Sequence, residues 1–183
     1  MPTKREFHAA MRPLLAGIAS FILLLPTAAW AENEVLLSMP EPPDGYMVVK
    51  QPIEVDGKRG GVAVIVGQEG PSSNVVITVE TSFDRSTKPA RVAATKAYVN
   101  GAAGTLKNHG MKLVDSKLPD LEQADFTRPL QVDMTFDKPD GTKLYLRQFV
   151  FFTKYGYNIQ IGASNPEELE TLAKWAQRIK PAE

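Results

Sequence analysis

The sequence predicts an α+β domain: a mainly antiparallel, twisted sheet flanked by helices on both faces, an α/β/α sandwich. Three observations carry that expectation. Leu144, Leu146, Val150 and Phe152 alternate with Tyr145, Phe149 and Phe151, so one strand is apolar on both faces and needs cover on both. Two amphipathic stretches, one before this strand and one after it, can supply that cover. The strands that surround it are joined by reverse-turn residues, which favours hairpins over long crossovers.

The chain opens on Lys4, Arg5 and Arg12 against the single acid Glu6, then a charge-free apolar run, Leu14–Leu25, then Ala29-Trp30-Ala31. A basic segment, a short apolar core and small residues at a cut make residues 1–31 a signal peptide with cleavage after Ala31. The run falls short of the roughly 20 apolar residues of a spanning helix. An uncleaved N-terminal anchor is the rival reading, and a start at Met11 would leave the pattern intact. The absence of cysteine excludes a lipid-anchored lipoprotein. The expected address is periplasmic or secreted, in a bacterial-type envelope or exterior.

Residues 32–44, with Ser38-Met39-Pro40-Glu41-Pro42-Pro43-Asp44, read as a flexible leader to a single domain at 45–183. Gly45–Val55 reads as a first strand through Tyr46, Val48 and Val49. Asp56–Gly60 is a turn cluster, Gly61–Val66 a short apolar strand, and Val75, Ile77 and Val79 alternate with Val76, Thr78 and Glu80 in a third. Over Lys88–Asn108 the period changes to that of a helix, with Val92, Thr95, Val99, Ala102, Ala103 and Leu106 on one side. Asn108-His109-Gly110 is its left-handed stop. Met111–Lys117 and Leu121–Thr127 read as two short strands. Leu130–Phe136, Thr142–Thr153 and Tyr157–Ile161 then form a three-stranded meander, with a turn at Lys138-Pro139-Asp140-Gly141. Asn165 caps a closing helix with Pro166 at its first position and Glu167 and Glu168 at its positive end. Leu169, Leu172, Ala176 and Ile179 form its stripe, Trp175 its flank, and Pro181 its stop.

Composition excludes several function classes. The chain carries 21 Lys and Arg against 21 Asp and Glu, and removal of the signal peptide leaves a slight acidic excess. Such a surface offers no basic field for nucleic acid or anionic lipid. With no cysteine there is no disulfide framework, thiolate nucleophile or cysteine metal site.

The order of elements is itself distinctive. Pro43-Asp44-Gly45-Tyr46 opens the first strand after a signal peptide; a hairpin and a helix ending in Asn108-His109-Gly110 follow. The long antiparallel strands, the "YGYNIQIGAS" strand and a C-terminal helix complete the order. This order resembles the DcrB family within the Mog1/PsbP-like superfamily, across about the whole mature chain. The resemblance implies a non-enzymatic α/β/α module, a class that includes envelope proteins, photosystem-associated extrinsic subunits and chaperones for secreted effectors. DcrB proteins are usually lipid-anchored, whereas this chain lacks the cysteine. No family site motif maps onto its residues.

The residues suggest little chemistry. His8 leaves with the signal peptide, and His109 sits in a helix-ending turn. Ser82, Ser86 and Lys88 offer a serine–lysine pairing that a polar loop explains as well. Asp115, Asp120, Glu122 and Asp125 fit no calcium-loop spacing. No catalytic residue, cofactor site or metal site is therefore assigned. The binding candidate is an aromatic face, Tyr145, Phe149, Phe151, Tyr155 and Tyr157, able to accept a partner segment or a lipid chain. The expected function is a non-enzymatic protein-binding module, an accessory subunit or chaperone-like factor whose partner is another envelope protein. The alternative is a small-ligand or lipid carrier.

Overall fold

One strand is sandwiched between two helices, and the rest of the fold is arranged around it. The structure is a computed structural model that describes residues 37–55, 58–67, 73–80, 85–153 and 155–181. The expected signal peptide, the first part of the leader and Ser82 lie outside these residues. In chain order the described elements are β1 (Leu37–Ser38), β2 (Met47–Val55), β3 (Lys58–Gly67), β4 (Ser73–Glu80), α1 (Lys88–Asn108), β5 (Lys112–Lys117), β6 (Leu130–Asp137), β7 (Lys143–Phe152), β8 (Gly156–Ala163), α2 (Pro166–Ala176) and β9 (Lys180–Pro181). Seven strands form one sheet in the order β2-β3-β4-β8-β7-β6-β5, with every neighbouring pair antiparallel. β1 and β9 pair separately. α1 carries the chain from β4 to the far edge at β5, and the β5–β8 meander returns it to β4's side.

The register fixes which residues share a face. Leu146 and Val150 of β7 lie opposite Met134 and Leu130 of β6. With Val132, Phe136 and Phe152 they bury against Val92, Ala94, Val99, Ala102 and Leu106 of α1. On the other face Phe149 lies opposite Ile159, which lies opposite Ile77. These pack with Val75, Val79 and Ile161 under Leu169, Leu172, Ala173, Trp175 and Ala176 of α2. The α+β sandwich expected from the two-faced strand is what the structure shows.

Both helices begin and end where local chemistry dictates. Thr87 caps α1, its side chain accepting from the Ala90 N–H, and Gly110 takes the left-handed φ of 77° just beyond its end. Asn165 Oδ1 accepts from the Glu168 N–H at 2.9 Å to cap α2. Glu167 and Glu168 stand in that helix's first turn, where the dipole favours them.

Three stretches depart from expectation. α2 ends at Ala176 rather than running to Pro181; Ile179 still buries, and Lys180–Pro181 form β9 against β1. Residues 37–44, read as flexible leader, are tied down: β1 pairs with β9, Leu37 and Met39 pack on the α2 core, and Trp175 Nε1 donates to the Glu41 carbonyl at 2.8 Å. Residues 121–127 are turns and not a strand. Asp120 accepts from the Glu122 N–H, and Asp125 from the N–H and hydroxyl of Thr127, so side chains take the bonds a ladder would use. Leu121 and Phe126 bury all the same, under α1.

Two measurements check this account. Leu172→Ala, at a fully buried α2 position, is expected to cost about 2–5 kcal/mol in urea unfolding, and Asn165→Ala about 1 kcal/mol. Asp125 and Asp140 are held below the ordinary carboxylate range first by the hydroxyls and then by the N–H groups of Thr127 and Thr142. A carboxyl whose pKa is lower folded than unfolded stabilises the fold above its unfolded value and loses that contribution as pH falls through the folded one. Asp140→Asn is therefore expected to flatten the loss of stability measured as pH falls below about 4.

Candidate functional site

The five aromatic residues expected to form a binding face do come together. Tyr145, Phe149 and Phe151 of β7 and Tyr157 of β8 all project toward α2, and Phe151 stacks on Tyr157 with ring centroids 4.7 Å apart and planes 3° from parallel. α2 covers part of the set: Phe149 is 5% exposed and Tyr157 1%. Burial pushes the Tyr157 hydroxyl pKa up. Tyr145, Phe151 and Tyr155 stay half-buried at the rim of that core. Tyr46 closes another side, its hydroxyl reaching Glu168 Oε1 at 3.4 Å; burial, then the Glu168 charge, pushes its pKa up to about 12.

Arg147 marks where α2 stops covering the sheet. Its guanidinium donates to Asp133 at 2.6 Å and Glu170 at 2.8 Å, joining β6, β7 and α2. Burial alone would lower its pKa, but the two carboxylates outweigh that and raise it. Beyond Arg147 the same face of β6 carries Gln131, Asp133, Thr135 and Asp137.

The α1 side holds a polar shelf that the sequence reading missed. α1 lies over β5–β7, and beside it β4 and β8 present Asn74, Thr78, Glu80, Asn158 and Gln160 on one face, with Val76 the apolar residue among them. Glu80 Oε2 accepts from the Tyr98 hydroxyl at 2.8 Å and from Arg85 at 2.9 Å, and Arg91 Nε donates to the Arg85 carbonyl at 2.7 Å. Burial, then the Glu80 charge, drives the Tyr98 pKa far upward. Gln148 of β7 is 0% exposed and its Nε2 reaches Gln160 Oε1 at 3.2 Å. Gln148 Oε1 and Asn158 Oδ1 are buried without a hydrogen-bond partner. A buried orphan of this kind costs about 1–3 kcal/mol.

Glycine makes the shelf's seating feasible. A Cβ on Gly156 would stand 2.8 Å from the Tyr98 hydroxyl, and one on Gly162 3.2 Å from Asn74 Oδ1. The signal available in the sequence was the alternation Gly156, Asn158, Gln160, Gly162, a strand face with no apolar residue.

The sheet edge at β5 is the third feature. All six residues of β5 are exposed, and Leu113, Val114 and the following Leu118 are exposed large apolar side chains. The register slips between Leu113 and Asp115, so Val114 sits at a bulge.

The remaining sequence candidates lie apart. His109 occupies the exposed position after α1, Lys88 begins that helix, and Ser86 is exposed just before it. Asp120 and Asp125 cap turns, and no group of three His, Asp or Glu able to hold a metal occurs among the described residues. No helix among the described residues is long and apolar enough to cross a membrane.

No protein-family model matches the chain, and no curated protein matches it. Among solved structures it is similar to the solution structure of cyanobacterial PsbP (CyanoP) from Synechocystis sp. PCC 6803, with 13% identity, coverage of 85% of this chain and 98% of that one, and a TM-score of 0.40. It is also similar to LpqN, involved in cell envelope biogenesis of Mycobacterium tuberculosis, with 16% identity, coverage of 83% and 88%, and a TM-score of 0.37. A third is PA94, a Pseudomonas aeruginosa protein of unknown function, with 13% identity, coverage of 76% and 83%, and a TM-score of 0.31. A PsbP is thus among the structures that this chain is similar to, and the narrower DcrB resemblance rests on the order of its sequence elements.

The Gly156–Tyr98 contact is directly testable. Gly156→Ala is expected to lower stability by about 1–3 kcal/mol, since the Tyr98 ring must shift and strain its bond to Glu80. In a Tyr98→Phe background the same substitution is expected to cost much less; equal costs in a double-mutant cycle would show that the two groups do not meet.

Proposed function

We propose that this chain is an exported, non-enzymatic accessory module that binds another envelope protein, and that β5 is where the partner docks. The observation that carries the reading is the β5 edge. It presents unpaired backbone donors and acceptors on its outer side and three exposed apolar side chains, Leu113, Val114 and Leu118, in or beside it. An extended segment that adds as a further strand would satisfy the backbone groups and cover those side chains. A second copy of the same strand fits poorly. Antiparallel self-pairing centred on β5 sets Lys112 against Lys117, a like-charge opposition. The occupant is therefore a segment of a different protein. The leader-like first 31 residues support the envelope address.

Tyr145, Phe151 and Tyr155 offer a second surface for the same partner, at the α2 rim on the opposite side of β7 from α1. Site-specific photocrosslinking in intact cells separates the two surfaces. A crosslinker at position 114 or 118 is expected to give one discrete heavier product, and one at exposed position 170 none. A product from position 155 alone would move docking to the aromatic rim. No discrete product from any of these positions would remove the protein-binding reading.

A further inference from the structure

We propose that the segment docking at β5 is an acidic one: an extended strand with carboxylates on one face, opposite Lys112 and Lys117, and apolar side chains on the other. This rests on the reading of β5 as the docking edge and adds to it the chemistry of the partner.

The register lays charge across the sheet in rows. On the side away from α1, Lys143, Asp137 and Lys112 stand opposite one another on β7, β6 and β5, and so do Arg147, Asp133 and Lys117. Sign alternates along both rows. The inner pairs are closed: Lys143 Nζ donates to Asp137 at 2.8 Å, and Arg147 Nε to Asp133 at 2.6 Å. Each acid is thus engaged from the β7 side, and neither Lys112 nor Lys117 has an ion-pair partner among the described residues. Both lysines are exposed at the outer edge, within reach of an incoming chain. Directly opposed side chains on neighbouring strands stand about 5 Å apart, so opposite charges attract and like charges repel. The next strand outward continues both rows with carboxylates. Between the rows runs a third, Tyr145, Thr135 and Asp115, whose outer end calls for a polar or basic residue.

The α1 side of the same strands fixes the other face of the partner. Leu144, Phe136 and Leu113 form an apolar row across β7, β6 and β5. Phe136 in its middle is 1% exposed, whereas Leu113 at its outer end is 45% exposed. An apolar side chain on the added strand covers that open end. Lysines on a sheet edge also discourage pairing between copies. Here one pair of lysines does both: it repels a second β5 and favours an acidic segment over a neutral or basic one. A phosphate polymer meets the lysines too, but it has no donors for the outer β5 carbonyls and leaves Leu113 uncovered.

NMR titration of the isotope-labelled full-length protein with synthetic peptides of about eight residues, a little over ordinary strand length, tests the assignment. Each peptide alternates valine with polar residues and carries a pair of glutamates, glutamines or lysines on its polar face, at the spacing of Asp133 and Asp137. The glutamate peptide is expected to shift the Lys112–Lys117 amide resonances saturably and to bind about fivefold more tightly than the glutamine peptide. Its binding is expected to weaken as salt rises, and the lysine peptide to bind least. Reversing both charges, Lys112→Glu with Lys117→Glu, is expected to invert the order. Should that variant not fold, Lys112→Gln with Lys117→Gln is expected to erase the preference. Equal affinity for the three peptides, a preference for the lysine peptide, or a glutamate preference that survives these substitutions overturns the acidic partner and leaves docking at β5 standing. Short polyphosphate that shifts the same amides as strongly as the glutamate peptide overturns it too, since charge alone is then recognised. No shift from any peptide also overturns it, and the crosslink from position 114 then decides the docking reading by itself.

Discussion

The fold depends on the double burial of β7. Its Leu146 and Val150 leave water on one face and its Phe149 on the other. At about 25 cal/mol per Å² of apolar surface, neither face can stay wet without forfeiting a major part of the folding energy. That requirement puts α1 and α2 on opposite sides of the sheet. It also centres both near β7, with α1 extending toward β5 and β6 and α2 toward β8 and β4. The two helices are therefore offset across the sheet.

The polarity of the strands follows that coverage. On the α2 side, β6 presents Gln131, Asp133, Thr135 and Asp137 where no helix lies, while its other face is wholly apolar. On the α1 side, β4 and β8 present Asn74, Val76, Thr78, Asn158 and Gln160, while their α2 face is apolar apart from Ser73. The two ionic clusters sit at the seams. Arg147 ties the α2 boundary to β6, and Glu80 with Arg85 and Tyr98 ties the start of α1 to β4. Partly exposed ion pairs are worth about 0–1 kcal/mol each, so they set orientation while packing supplies stability. The orphan amides on the shelf run against that economy.

Much of the architecture was legible locally. The α1 residues, the Asn165 cap, the Gly110 stop and the alternation in β6 and β7 are written in short-range patterns whose physics acts within a few residues. The stretch 121–127 misled because Leu121 and Phe126 have strand-like apolarity, while Asp120 and Asp125 form their turn bonds with residues only two positions away. The tethering of 37–44 was not legible, since it depends on Trp175 and β9, more than a hundred residues distant. The aromatic set was recognisable as one group. Which members lie under α2 was not, because that turns on where an 11-residue helix stops along the sheet.

By itself, the sequence determined the strand and helix periods, the turns and caps, the two-faced strand and hence a helix on each side, because each arises from neighbours in the chain. Tertiary structure alone decided the offset of the two helices, the partial sealing of the aromatic face, the exposed edge at β5 and the meeting of Gln148, Gln160 and Asn158. Those features depend on register and on the distance a helix can reach across a sheet, and residues far apart in sequence settle both together.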